Sequence, residues 1–323
     1  MDDKQLRIGI LTSGGDAPGM NAVIRSVVRA STQLGAKAYG IKAGYDGLLR
    51  GDVEKLDPGD VSDIIYRGGT ILKTARCLEM ISEEGQRRAA EVLKVLKLSG
   101  LIVVGGDGSF KGALALSKLG IDVIGIPATI DLDMDCTEYS IGFDTAVNTA
   151  ADAITCIRDT SSSHERCSVV EVMGRNAGYL ALWCGLTGGA EEILIPENPI
   201  DTASVIETIL KNRSRGKRHN LVVVAEGIGK VDELAKEIER VLGIESRSTV
   251  LGHMQRGGTP TAADRMHASV MGYMAVKAIC EGNVNKAVVY NNGKHELIGI
   301  EDAVNAKKKY DPTIYEITKI LSI

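Results

Sequence analysis

The chain has 323 residues, 44% of them apolar, with a formal net charge of -4 and a pI near 5.8. That is about two domains' worth of material, and the near-balanced charge argues against nucleic acid or an anionic membrane surface as partner, leaving a small molecule. Six cysteines, at 77, 136, 156, 167, 184 and 280, show no CxxC or metal-ligand spacing; no charged and apolar leader precedes Arg7, and no apolar stretch nears the ~20 residues of a membrane span. The expectation is a soluble cytoplasmic protein with reduced thiols.

Strand-like runs alternate with helical periodicity along the whole chain, which predicts doubly wound α/β layers. Strands are expected at Ile8 to Leu11, Leu101 to Val104, Val123 to Ile126, Val169 to Met173, Ile193 to Ile195, Leu221 to Ala225 and Ala287 to Tyr290. Helices are expected at Met20 to Thr32, Glu84 to Lys97, Asp144 to Arg158, Ala177 to Leu186, Thr202 to Arg213, Val231 to Val241 and Ala262 to Glu281. Glycine-rich strand-to-helix turns recur in both halves, so two similar α/β/α sheets facing each other across a cleft are more natural than one very wide sheet.

The first turn, Thr12 to Asn21, is not a Walker A loop, because no GKS or GKT ends it. It reads either as a backbone approach to a terminal phosphate near Gly15 or as a tight turn with Asn21 near the helix cap. Arg25 and Arg29 follow on one helix face, as an anion site or as solvated charges. The turn Gly105-Gly106-Asp107-Gly108-Ser109 follows an apolar run, and its glycines let backbone N–H groups approach an anion before a helix begins near Phe110. Asp107 can hold a magnesium ion beside such phosphates. Thr129-Ile130-Asp131-Leu132-Asp133 follows the next run, past Pro127, and delivers two carboxylates to the same strand ends. Asp131 can accept a proton from an alcohol attacking a γ-phosphoryl group.

Further along, Ser163 to Arg166, Met173 to Arg175, Glu226, Arg247 and Leu251 to Gly258 set polar and cationic groups after strands or at turns. Arginines converging on one cleft would select a phosphorylated substrate, whereas each alone is a surface charge.

Together these segments closely resemble the bacterial ATP-dependent 6-phosphofructokinase family. The matches run in order from LTSGGDAPGMNAVIR through GGT, TAR, GGDGS, TID, IGFDTA, SHER, EVMGR and AEG to LGHMQRGG. The resemblance implies two Rossmann-like domains: residues 1–142 with about 256–304 binding ATP, and 143–255 with about 305–323 binding fructose 6-phosphate. It implies transfer of the ATP γ-phosphoryl group to the 1-hydroxyl of fructose 6-phosphate, with Mg²⁺, in glycolysis. By motif, Asp131 is the general base, with Thr129, Arg76, Asp133 and Arg175 as the other catalytic groups. Gly15, Arg76, Cys77, Gly106, Asp107, Gly108 and Ser109 contact ATP, and Asp107 is the metal ligand. The sugar phosphate falls to Thr129, Asp131, Met173, Gly174, Arg175, Glu226, His253 and Arg256, joined by Arg166 and Arg247, which in relatives reach across from a neighbouring subunit. A homotetramer is therefore implied. An effector site for ADP and phosphoenolpyruvate maps onto Arg25, Arg29, Asp63, Arg158, Gly189 to Glu191, Arg215, Lys217, Arg218 and His219.

Pyrophosphate-using relatives place Asp where this chain has Gly108 and Lys where it has Ala128, so ATP is the expected donor. Three positions depart from the family's pattern. Leu132 stands for the Asn of TIDND, which removes an amide that could orient Asp131. Ala128 replaces the usual Gly. Pro58 sits where allosteric relatives can carry an arginine, which would weaken the effector response. The alternatives are a paralogue acting on tagatose 6-phosphate or sedoheptulose 7-phosphate, and a weakly active regulatory subunit.

Overall fold

The computed structural model describes residues 5–307 and 310–322, so the outermost ends of the expected domains, at 1 and 323, lie outside the described residues. The chain divides into two compact units. The first comprises the described residues up to Ile130, Met134–Thr145, and those from Arg256 through 307; the second takes Asp131–Asp133, Ala146–Gln255 and the described residues from 310 onward.

In the first unit, β1 (Arg7–Ser13), β2 (Lys37–Ile41), β3 (Val53–Leu56), β4 (Gly100–Gly105), β5 (Val123–Pro127), β10 (Lys286–Asn291) and β11 (Lys294–Gly299) form one sheet. Its order is β11-β10-β5-β4-β1-β2-β3. The five inner strands run parallel, and β3 and β11 pair antiparallel at the two edges. Leu101, Ile102, Val103 and Val104 have no exposure at all, as a strand covered on both faces requires. Helices α1 (Met20–Gln33) and α9 (Ala262–Cys280) pack closely. A Cβ on Gly272 would lie 2.8 Å from Ser26 Cβ, so only glycine permits that approach.

The second unit holds four parallel strands in the order β7-β8-β6-β9, namely β7 (Glu192–Leu194), β8 (Asn220–Ala225), β6 (Cys167–Val172) and β9 (Ser246–Val250). Helix α8 (Val231–Leu242) buries Val231, Leu234, Ala235 and Ile238, the i, i+3, i+4, i+7 stripe of an amphipathic helix. Side-chain caps start three helices: Ser82 accepts from Gly85 N at α3 (Glu83–Val95), Asp201 from Ser204 N at α7 (Thr202–Ser214), and Thr261 from Asp264 N at α9.

All seven expected strands and all seven expected helices form, with ends shifted by a few residues. Four strands and several helices carried too weak a signal. β2 is interrupted by Gly40, which lies under Leu56 and Leu72. β3, β9 and β11 are short and largely polar or charged, as strands at a sheet edge often are. α2 (Gly44–Arg50) contains two glycines, and α10 (Ile300–Asn305) and α11 (Thr313–Leu321) are short. Two local expectations need correction. α4 (Asp107–Lys118) begins at Asp107 rather than near Phe110, because Gly106 already accepts the first turn's N–H groups. α5 (Phe143–His164) continues six residues past Arg158, so Ser163 and His164 end a helix rather than follow a strand.

Candidate active site

In the first unit, β1, β4 and β5 are parallel neighbours. Their carboxyl ends therefore bring the first turn, the Gly105–Ser109 turn and Thr129 to one edge of the sheet, where open α/β sheets bind ligands. Gly14 and Gly19 have positive φ, and Gly19 is the N-cap of α1. Asn21 does not cap that helix. Its amide donates to Arg67 O and Gly69 O and its oxygen accepts from Ile71 N, tying down the loop that leads to Arg76. Thr74 donates to Gly14 O at 2.7 Å. Arg76 is exposed and Cys77 half-buried on that loop.

Gly106 caps α4 in extended conformation, so the free N–H groups of a 12-residue helix open at Asp107 and Gly108. The space around Gly108 is empty to 4 Å. Ser109 is buried and donates to Ser13 O at 3.1 Å, locking the two turns together. The Asp107 carboxylate is part-exposed and meets Lys111 Nζ at 2.7 Å. Beyond that pair a groove of about 300 Å³ runs between α3 and α4, lined by Glu83, Gln86, Arg87, Lys111, Leu114 and Lys118 among others. No local pattern signals it, because it arises only when two helices lie side by side.

Arg256 groups with this first unit, not with Met173, Glu226 and His253 of the second. Its guanidinium lies over Gly15, so close that a Cβ there would be 2.5 Å from Nη1, and it donates to Asp16 O at 3.3 Å.

Thr129 is buried, and its N–H donates to Ser140 Oγ at 2.8 Å. Asp131 and Leu132 are buried as well, at 5% and 8% exposure. Leu132 has φ +52°, a left-handed conformation that asparagine and glycine adopt readily and leucine does not. The departure from TIDND thus bears first on the backbone rather than on a lost amide bond. Asp133, half-buried, faces the exposed Arg175 Nη1 at 3.8 Å, a long pair.

In the second unit, the carboxyl ends of β6, β8 and β9 carry Met173 to Arg175, Glu226 and the start of a short 3₁₀ turn, from Gly252 through His253 to Gln255. Buried Gln255 accepts from Met173 N at 3.2 Å and donates to Gly252 O, joining two of these turns. Gly174 and Arg175 both have positive φ. Burial, with Glu226 and Asp232 nearby, pushes the Glu171 carboxyl up.

Arg166 and Arg247 lie at the opposite, amino edge of the same sheet. One precedes β6 and the other is the second residue of β9. A residue absent from the sequence-based set, Glu245, joins them: its carboxylate meets Arg166 Nε at 2.7 Å and Arg247 Nη2 at 2.6 Å, and these bonds pull its pKa down. The six residues of β6 separate Arg166 from Met173 by roughly 20 Å at about 3.3 Å per residue.

The residues expected to hold effectors divide between the units. Arg25, Arg29 and Asp63 belong to the first, where Arg29 and Asp63 are exposed and Pro58 lies in an exposed turn. In the second, Arg158 donates to Gly188 O and Gly189 O. Glu191 is buried, accepts from Leu221 N and pairs with Lys217 at 2.5 Å. Arg218 pairs with Glu165 at 3.0 Å, while Arg215 is exposed and His219 half-buried.

Residues 7–279 match the family model described as Phosphofructokinase. An ATP-dependent 6-phosphofructokinase of Clostridium botulinum is 54% identical over 315 residues, covering 98% of this chain and 99% of the relative. One of Clostridium tetani is 53% identical over 316 residues, with the same coverage. Among solved structures, phosphofructokinase from Saccharomyces cerevisiae superposes with a TM-score of 0.87 at 33% identity over 99% of this chain, which spans 48% of that longer one. The chain belongs to the phosphofructokinase family.

Proposed function

We propose that the chain transfers the γ-phosphoryl group of ATP to the 1-hydroxyl of fructose 6-phosphate, giving fructose 1,6-bisphosphate and ADP, in glycolysis. The observation that carries this is the full-length 54% identity to ATP-dependent 6-phosphofructokinases, together with a strand–turn–helix whose N-terminus is open for phosphate beside Gly108.

The nucleotide is assigned to the first unit. Its phosphates would take the N–H groups at Asp107 and Gly108 and the backbone near Gly15, with Arg76 on the transferring charge. Its adenosine would follow the groove between α3 and α4. ATP rather than pyrophosphate is favoured, because Gly108 leaves room for the phosphate tail and because Ala128, at 1% exposure, has no room for the lysine of pyrophosphate-using relatives.

Asp107 fits a magnesium ion bound with the nucleotide. Among the described residues no group of three His, Cys, Asp or Glu could hold a metal, but Mg²⁺ in such sites takes one or two carboxylates and the substrate's phosphates. Bound there, it would neutralise charge on the phosphates.

The acceptor is assigned to the second unit, with Met173 to Arg175, Glu226 and His253 around the sugar and Asp131 taking the 1-hydroxyl proton. Arg175, beside Asp133, would hold the carboxylates in place and attract the transferring phosphate. Arg166 and Arg247 are roughly 20 Å from Met173, too far for a site at their own sheet's carboxyl edge. That spacing supports their serving a second copy of the chain in a homotetramer, with Glu245 holding both arginines for it. ADP and phosphoenolpyruvate remain the effectors that the cationic residues near Arg158 and Lys217 would take. No helix of the described residues is long and apolar enough to cross a membrane, and the six free cysteines fit a cytoplasmic location.

The test is product formation from fructose 6-phosphate with Mg²⁺, comparing ATP with pyrophosphate and wild type with Asp131→Asn. ATP should be the donor, and Asp131→Asn should lower kcat by about 10²-fold or more, the usual worth of a general base. A pyrophosphate preference, a better rate with tagatose 6-phosphate or sedoheptulose 7-phosphate, or an active Asp131→Asn enzyme would overturn the reading.

A further inference from the structure

Asp264, the third residue of α9, has no solvent exposure, and both its oxygens are engaged. Oδ1 accepts from Tyr139 Oη at 2.7 Å and from Gly142 N at 2.7 Å. Oδ2 accepts from Thr145 N at 2.9 Å and from the Thr145 hydroxyl. Thr145 in turn accepts from Thr261 N, the cap of Asp264's own helix. Burying a carboxylate is costly unless its lone pairs are satisfied, and here four donors from one seven-residue strip do so.

That strip, Tyr139 to Thr145, is the return path from the turn that carries Thr129 and Asp131. Its Ser140 hydroxyl accepts from Thr129 N, Ile141 N donates to Pro127 O, and Ile141 bridges Ala128. Its other side lies against the first phosphate turn. A Cβ on Gly142 would be 2.6 Å from Ala17 Cβ, and one on Gly19 would be 2.6 Å from Ile141 Cγ2. The strip is thus wedged between the chain segments that carry the donor-phosphate turn and the base, and Asp264 is the buried group that pins it.

We propose that Asp264 is a positioning residue for phosphoryl transfer: through Tyr139 to Thr145 it fixes Pro127 to Thr129, the segment that leads into Asp131, against the first turn of the same unit. The proposal rests on the functional reading above. It assigns Asp264 no contact with either substrate, so its removal should affect the chemical step more than binding. Near-attack geometry is sensitive to displacements of about 1 Å, whereas backbone N–H contacts to phosphate tolerate small shifts.

The experiment measures kcat, both KM values and Mg-ADP affinity by calorimetry for the full-length wild type, Asp264→Asn, Tyr139→Phe and, as a packing control in the same helix, Ala268→Gly. Asp264→Asn keeps the shape but sets an amide N–H₂ against donors, and should lower kcat at least tenfold with KM and ADP affinity within threefold. Tyr139→Phe removes one donor of four and should lower kcat twofold to fivefold in the same split. Ala268→Gly should lose stability while keeping kcat. An unchanged kcat in Asp264→Asn overturns the proposal, and so does a loss matched by Ala268→Gly or by falling ADP affinity. Should Asp264→Asn fail to fold, Tyr139→Phe decides: wild-type kcat there overturns the proposal and the expected split supports it. A wild type that makes no fructose 1,6-bisphosphate instead refutes the functional reading, whatever the variants do.

Discussion

Leu132 offers a sharp test of how the catalytic turn is held. Its φ of +52° costs an L residue with a bulky side chain roughly 1–2 kcal/mol, while its side chain, at 8% exposure, gains about 1.5–3 kcal/mol from burial. The two terms nearly offset, which explains how leucine holds a position better suited to asparagine. Substitution by Ala and by Gly removes the same packing, so the difference between the two variants reports the backbone alone. At an ordinary site Gly is less stable than Ala by about 0.5–1 kcal/mol. Here the order should invert, with Leu132→Gly more stable than Leu132→Ala by about 1 kcal/mol, although both fall below wild type by a few kcal/mol. Urea unfolding of the three proteins in parallel measures it. Leu132→Asn relieves the backbone but replaces a buried leucine side chain with an amide, so it should lose about 1–3 kcal/mol and leave kcat within threefold of wild type. An Ala variant as stable as the Gly variant would refute the backbone argument. A tenfold or greater gain in kcat for Leu132→Asn would restore the view that an amide is needed to orient Asp131.

If Asp107 holds magnesium as proposed, Lys111, which pairs with that carboxylate, would compete with the ion. The pair is exposed and worth at most about 1 kcal/mol, so Lys111→Met should lower the half-saturating Mg²⁺ concentration by up to about fivefold at low salt, an effect that fades as salt screens it. A higher Mg²⁺ requirement would instead make Lys111 a phosphate ligand. His267 is buried, stacks on Tyr139 with ring centroids 3.8 Å apart, and shares a 2.9 Å hydrogen bond with His295. Burial first, then His295, drives its pKa from 6.5 down to about 4. The unfolded chain therefore binds the proton first, so stability is unaffected above pH 6.5 and declines as pH falls toward 4, by up to about 3 kcal/mol. Acid titration of unfolding should show a shallower decline for His267→Gln than for wild type, and identical slopes would exclude His267 as the source.

What the sequence made legible follows from where its signal is local. The runs at Leu101 to Val104 and Val123 to Ile126 are apolar because both sheet faces are covered, and a Cβ on Gly105 would lie 2.5 Å from Ser13 O, so both the strands and the tight turn after the first can be read directly. Edge strands such as Lys294 to Gly299 give no such signal, since charge at an edge looks like a loop. The groove beside Lys111, the clasp of Glu245 on two arginines and the seat of Arg256 over Gly15 are products of packing between segments far apart in the chain, and no spacing rule encodes them.

The pairing of Arg166 with Arg247 shows how such a gap also carries functional content. From the sequence, the family resemblance implies that these two arginines reach the sugar phosphate from a neighbouring subunit. The parallel register of β6 with β9 puts Ser168 beside Arg247, which fixes both guanidinium groups at the amino edge while Met173 and Glu226 stand at the carboxyl edge. A strand cannot bend back over its own length, so a single second unit cannot use both edges on one phosphate. Glu245 offsets the cost of leaving two cations adjacent: its carboxylate forms an ion pair with both at the same edge. If the proposed site at the carboxyl edge needs those arginines, a second copy of the chain must supply them, and mixing inactive Arg247→Ala and Asp131→Asn chains should then restore part of the activity.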